Sequence, residues 1–474
     1  MLKRTRAMLH ERFVGWADRV NEDRDRAVEF EEILGYHLEQ AHSNLADLGP
    51  LDEHGLGLGR RAAQRLSSAG GRAFGRGDMP AAANLLRRAV VLLPERDPSR
   101  LELIPDLGEA LLEVGEFPWA ELFLEEAIDA HREEDGLVSA LAELLLLRLK
   151  AHAGSAERWS ERLVEQASKM LEESDGQDDD ARLATIWRLL AWAHGTSGRY
   201  GLATGAAERA MEYARDASDG RQLRLAAVHY AMAALHGPTP VPEAIQRCEE
   251  LAAEAQSDRR TQGIVTGALA VLLAMRGDFE SARRLATKSQ ALIADLGSTV
   301  SGASMSLETA WVERLAGDLP AAERQLRRDY ESLSELGERY FLSTVAGELA
   351  RVLYEQGRVD EAEQMSQQAQ HLADADDIAS QMLWRTVQAK VMAHRGNCDD
   401  ALALVREAVD LLTSTDAVSA QTETLVDLAE ILRCAGRDKD ANRVLEDAIG
   451  LYELKGNLAG AETARASAAP AHFM

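Results

Sequence analysis

A six-residue phrase returns along the second half of this chain and limits what it can fold into. It reads GDFESA from Gly277, GDLPAA from Gly317, GRVDEA from Gly357, GNCDDA from Gly396 and GRDKDA from Gly436. Each is a glycine with an alanine five residues on, and the glycines lie 40, 40, 39 and 40 residues apart. A fixed period of this size marks a repeat array, in which each unit buries its apolar face only against its neighbours. Composition agrees with helical units: Ala, Leu, Glu and Arg are abundant and there are only 11 prolines.

Weaker copies precede the regular series, with turns at Gly77, Gly115, Gly154, Gly198 and Gly237. The expected array therefore spans 56–456 as ten hairpins, each a helix A, a glycine turn and a helix B. Repeat one places helix A at about Leu58–Arg76 and helix B at about Pro80–Leu93. In repeat two, Pro105 predicts a helix A that starts or bends there. Repeat three is degenerate around Gly154. The stretch GPTPVPEA at Gly237 predicts a longer, stiffer turn. Residues 1–50 stand apart as two helices, about Arg4–Val20 and Arg24–Leu48, and 457–474 read as a capping helix and tail.

Counting from each turn glycine gives columns of small residues. Seven back are Gly70, Gly108, Ala191, Ala270, Ala310, Ala350, Ala389 and Ala429; five on are Ala82, Ala120, Ala203, Ala282, Ala322, Ala362, Ala401 and Ala441. Twelve on the column is small except at Asp329. Small facing residues let two antiparallel helices approach closely, and glycine permits a left-handed turn between them. These positions resemble the tetratricopeptide repeat, with a period of about 40 in place of the usual 34. The resemblance implies an all-α, right-handed superhelical solenoid. LHERFVGWAD, EEILGYHLEQA and DLGEALLEVGEF, with the ending KGNLAGAETARA, resemble the sensor array of bacterial proteins that join a class III nucleotide cyclase to an AAA-type ATPase. No GxxxxGK[ST] stretch and no cyclase segment occurs here, so neither activity is carried over.

The net charge of −26 repels phosphate backbones and steers basic partners toward the chain. No nucleic-acid partner is therefore expected. No run of about 18 apolar residues reads as a membrane span, and MLKRTRAMLHERFVGWADR lacks the apolar core of a signal peptide. Cys248, Cys398 and Cys434 form no disulfide framework and no zinc spacing, consistent with a cytoplasmic protein. EESDGQDDD (Glu172 to Asp180) reads as a solvated loop, with a calcium site as the sharper alternative. His37 and His42 do not share a helical face; His229 and His236 do, but structural roles are the plainer reading. GLGLGR (Gly55 to Arg60) reads as a loop rather than a phosphate cradle, since no strand precedes it.

No catalytic residue, cofactor or metal site is expected, and the chain reads as a non-enzyme. Turn-anchored counting places Trp192, Trp311, Arg351, Tyr354, Lys390 and His394 on the concave face lined by the A helices. Aromatic and basic groups there suit an acidic or C-terminal peptide group; the alternative for Trp192 and Trp311 is packing between repeats. The expected role is a non-catalytic scaffold or sensor for a protein, peptide or small effector in bacterial signal transduction. The alternative is the C-terminal regulatory arm of a nucleotide cyclase or signalling ATPase. A DNA-binding activator is a third class, but the 18 residues after Gly456 are too few for a helix-turn-helix.

Overall fold

A computed structural model describes residues 3–22, 30–130, 137–154, 158–173, 179–255, 258–295 and 299–468. Among them every regular element is a helix. None is long and apolar enough to cross a membrane. The chain packs as two compact units, Met1–Leu146 and Leu147–Met474.

The turn glycines behave as expected at nine of the ten places. Gly77, Gly115, Gly154, Gly198, Gly277, Gly317, Gly357, Gly396 and Gly436 all have positive φ. At the regular turns the glycine N–H bonds the carbonyl three residues back, and the next N–H reaches the carbonyl five back. Examples are Gly277 to Ala274 and Asp278 to Leu273. These are the two bonds of a Schellman ending. A Cβ on Gly357 or Gly436 would meet nothing within 4 Å, so the backbone conformation alone demands glycine there. Where aspartate follows, its carboxylate caps helix B: Asp78, Asp278 and Asp318 each accept from the N–H three residues on.

Gly237 is the correction. Its φ is −92°, because the prolines after it carry the chain extended into helix Val241–Glu254. Two other expectations change. Helix A of repeat one runs Glu53–Gly75, so GLGLGR lies inside a helix and not in a loop; Asp52 starts that helix early by accepting from Gly55 N–H. Helix A of repeat two runs Pro98–Glu113, capped by Asp97, with Pro105 in its interior rather than at its start.

In the first unit, helices Lys3–Glu22 and Glu31–Ala46 pair antiparallel, with Phe13 against His37 and Lys3 bonded to Asp47. Ala7, Val14, Leu34 and Leu38 join Leu58 and Ala62 of repeat one in a single core. This pair is thus another hairpin stacked on the array. At Gly70 and Gly108 a Cβ would come within 2.9 Å of Leu86 and Leu124, the close approach that the small column predicts.

The second unit begins within helix Leu137–Ala153 of repeat three and holds repeats four to ten complete. All twelve of its alanines in the two small columns, among them Ala203, Ala282, Ala350, Ala389 and Ala441, are buried in full or nearly so. Asp329, the exception in the third column, sits where helix A of repeat seven is split into Val300–Ala303 and Ser306–Leu315. Its buried carboxylate accepts from Ser306 N–H at 2.7 Å. The final helix, Leu458–Ala468, follows the left-handed Gly456. The 174–178 part of the acidic stretch and the tail after residue 468 lie outside the described residues.

This unit is wound tightly enough for one turn of the superhelix to touch the next. Asp376 accepts from Ser160 N–H at 3.0 Å, and Asp416 accepts from Gly201 N–H at 2.8 Å. Arg339 N–H bonds His152 O, and buried Lys455 donates to the carbonyls of Ala234, Gly237 and Thr239. The first two contacts span 216 and 215 residues, which at about 40 per repeat is between five and six repeats.

Candidate functional site

The A helices carry the predicted residues, and the structure sorts them into three groups. Trp192, on helix Asp180–Thr196, is buried in an aromatic stack. Its ring lies 4.6 Å from Trp159, 6.0 Å from His152 and 6.2 Å from Tyr340. The Arg148 guanidinium sits 5.6 Å from its ring centroid. His152 bonds Glu338 at 2.8 Å, and that carboxylate also accepts from the N–H groups of Tyr340, Phe341 and Leu342. Trp192 is thereby fixed between repeats three, four and eight.

Trp311 is half-buried and stacks on His236 at 5.4 Å, which stacks in turn on Tyr200 at 5.6 Å. Burial first, and then the Lys455 charge, pull the His236 imidazole down to about 4. It is therefore neutral at pH 7 and packs as an aromatic ring.

Arg351, Tyr354, Lys390 and His394 come together at the third place. Arg351 and Lys390 are buried, Tyr354 is half-buried and His394 is exposed. Both cations are engaged by the chain's own carboxylates. Arg351 pairs with Glu423 and lies 3.6 Å from Asp427. Lys390 contacts Asp427 and Glu430, each at 2.9 Å. Arg314 pairs with Glu423 and, at 3.6 Å, with Glu355. Tyr354 donates its hydroxyl to Glu430 and lies under the Lys390 ammonium. The His394 ring meets Tyr354 edge-on.

Electrostatics follow from that arrangement. Burial alone would raise the Glu423 carboxyl, but Arg314 and Arg351 outweigh it and hold it below the usual range. Glu348, buried beside the same guanidiniums, is pushed up by its desolvation. Burial opposes the Lys390 charge, yet Asp427 and Glu430 raise it above the ordinary lysine value. Five carboxylates (Glu348, Glu355, Glu423, Asp427, Glu430) thus surround three cations, Arg314, Arg351 and Lys390. An acidic guest would have to displace Glu423 or Asp427, whereas a basic group meets an excess of acceptors.

Glu423, Asp427 and Glu430 were not singled out from sequence. They stand thirteen, nine and six residues before Gly436, on one face of helix Val418–Cys434. The same counting that found Lys390 would have reached them. Arg188, on helix Asp180–Thr196, bonds Gln222 at 2.8 Å. His229 is kept neutral first by burial and then by Arg148, Arg188 and Arg260 around it. Cys248 is buried, and its thiol is pushed up to about 12 by desolvation. Among the described residues no cluster of His, Cys, Asp or Glu has the makings of a metal site.

Residues 343–369, from helix A into helix B of repeat eight, match the tetratricopeptide repeat family. A solved structure of Rap protein complexed with competence and sporulation factor superposes with a TM-score of 0.57 at 14% identity, covering 75% of this chain and 99% of that one. The fold is the tetratricopeptide repeat fold. Yeast Tom70 gives a TM-score of 0.42 at 12% identity, covering 94% of this chain and 96% of that one. IFIT1 with m7Gppp-AAAA gives 0.46 at 14% identity, covering 93% and 90%. No curated protein matches this chain in sequence. Within that fold the A helices of repeats eight, nine and ten gather Arg351, Tyr354, Lys390 and His394 into one charged network with Glu423, Asp427 and Glu430.

Proposed function

We propose that the inner face of repeats seven to ten is a docking surface for a protein segment that presents lysine or arginine side chains. The observation that carries this reading is the excess of acidic partners around Arg351 and Lys390: leaving aside Glu348, whose carboxyl burial pushes up, Glu355, Glu423, Asp427 and Glu430 stand against Arg314, Arg351 and Lys390. Glu430 and Glu355 are the members with most side-chain exposure, 41% and 28%, so they are the first to meet a guest. Tyr354, bonded to Glu430, and His394 against it supply aromatic surface there, suited to the aliphatic stem of a long basic side chain. The chain's net charge of −26 steers such a partner in and repels nucleic acid. The role is that of a non-catalytic cytoplasmic scaffold or sensor in bacterial signal transduction.

Titration calorimetry of the full chain against a lysine- and arginine-rich peptide and a matched acidic peptide tests this. The basic peptide binds, and the pair Glu430→Gln and Glu355→Gln weakens it at least tenfold. Preference for the acidic peptide, or binding indifferent to both substitutions, removes the assignment. A pull-down from the native cell, read by mass spectrometry, then identifies the partner.

A further inference from the structure

Of fourteen large hydrophobic side chains that stand exposed among the described residues, six fall within the first 36: Met8, Leu9, Phe13, Trp16, Ile33 and Tyr36. They are concentrated on one hairpin. Leu9, Phe13 and Trp16 follow i, i+4, i+7 spacing and share a face of helix Lys3–Glu22. Ile33 and Tyr36 share a face of helix Glu31–Ala46. The rings of Phe13 and Trp16 lie 5.9 Å apart, and Phe13 and Tyr36 both flank His37, so the patch is continuous across the two helices. The opposite face of the hairpin is already buried on repeat one through Leu34, Leu38, Leu58 and Ala62. The outer face of this hairpin is thus apolar, with Trp16 55% exposed.

Charge divides the patch by helix. Lys3–Glu22 carries five lysines and arginines against three acids, and Arg6, Arg12 and Arg19 are exposed. Glu31–Ala46 carries three glutamates and no lysine or arginine; Glu31 and Glu39 pair with Arg72 and Arg88 of repeat one, and Glu32 is exposed beside Ile33 and Tyr36. The pair is antiparallel. A two-fold axis through it lays the basic helix of one copy across the second helix of the other, so that each exposed Arg12 meets the partner copy's exposed Glu32. The six side chains expose together roughly 500–600 Å², given that a buried aromatic covers about 150–250 Å². Doubled, that meets the ~1,000 Å² a specific interface needs.

We propose that this hairpin face is an isologous dimer interface whose occupant is the same face of a second copy of the chain. Phe13, Trp16, Ile33 and Tyr36 form its apolar centre, and Arg12 of each copy faces Glu32 of the other. Sedimentation equilibrium of the full chain tests it. The expected mass is twice 51.8 kDa at micromolar concentration, and Phe13→Glu with Trp16→Glu gives a monomer whose circular dichroism is unchanged. Arg12→Glu and Glu32→Arg each weaken the dimer at least tenfold, and the two combined in one chain restore it. A monomeric natural chain at 100 μM or more, roughly the weakest specific range, overturns the proposal. So does a dimer that survives the Phe13 and Trp16 changes, or a monomer that instead binds phosphatidylserine vesicles through this face.

Discussion

Asp329 shows how one side chain can trade packing for capping. Its column holds small residues elsewhere, because helices A and B touch there. A carboxylate fits only because helix A of repeat seven is split, and Asp329 takes up the Ser306 N–H exposed by the split. Glu308 is buried two residues on, and burial, with the Asp329 charge adding to it, raises its carboxyl to about 8. The folded protein therefore holds a proton that the unfolded chain releases near 4.5. Stability from this group is complete below pH 4.5 and is lost as pH rises through 8, with a slope of at most ~1.4 kcal/mol per pH unit. Glu308→Gln mimics the protonated form. Its stability relative to the natural chain, measured by urea unfolding at pH 5, 6.5, 8 and 9, is expected to grow with pH and level off above 8. A constant difference would mean that Glu308 is ionised in the folded state. Ser218 offers a second test. It adopts φ of 54° at a Schellman ending where other turns use glycine. Ser218→Gly should stabilise by about 1 kcal/mol, and Gly357→Ala should cost about the same or somewhat more. Thermal unfolding of both variants reads the sign.

At the scale of the helical hairpin, the packing of A against B is set by what two backbones at close range tolerate. Ala350 is fully buried between Leu326, Leu353 and Ala362 in one core cluster. Ala350→Trp should overpack that contact and cost about 1–3 kcal/mol or more; an unchanged melting temperature would mean the column has been misplaced. Features of this kind were legible in the sequence because a single local demand, positive φ or no room for a Cβ, dictates the residue. Gly237 misled for the converse reason: the prolines after it impose an extended turn that needs no left-handed residue. GLGLGR misled because Asp52 caps a helix through a glycine-rich start. The pairing of Arg314 and Arg351 with Glu423, across 109 and 72 residues, was not legible. It depends on how far successive hairpins rotate, and that angle is a sum of many small packing choices with no single residue to announce it.

Across the second unit as a whole, contacts between superhelical turns break the nearest-neighbour rule of repeat proteins. Asp416 caps helix Tyr200–Asp216, and Lys455 ties the last B helix to the turn of repeat five. An isolated array unfolds in steps as repeats peel from its ends. Here the ends of the unit are pinned to its middle. Lys455→Met should leave three buried carbonyls without a donor and cost about 1–3 kcal/mol. Together with Asp416→Ala it should broaden the unfolding transition, lowering the urea m-value. Hydrogen exchange should report early opening of 418–468 in that double variant and concerted opening in the natural chain.

The clasp at Lys455 also bears on mechanics. Its three bonds join residues 216 to 221 positions apart in the chain, so the coil cannot lengthen like a spring while they hold. Pulled along its axis, the second unit should yield in one abrupt step, where an unclasped array of repeats lengthens gradually.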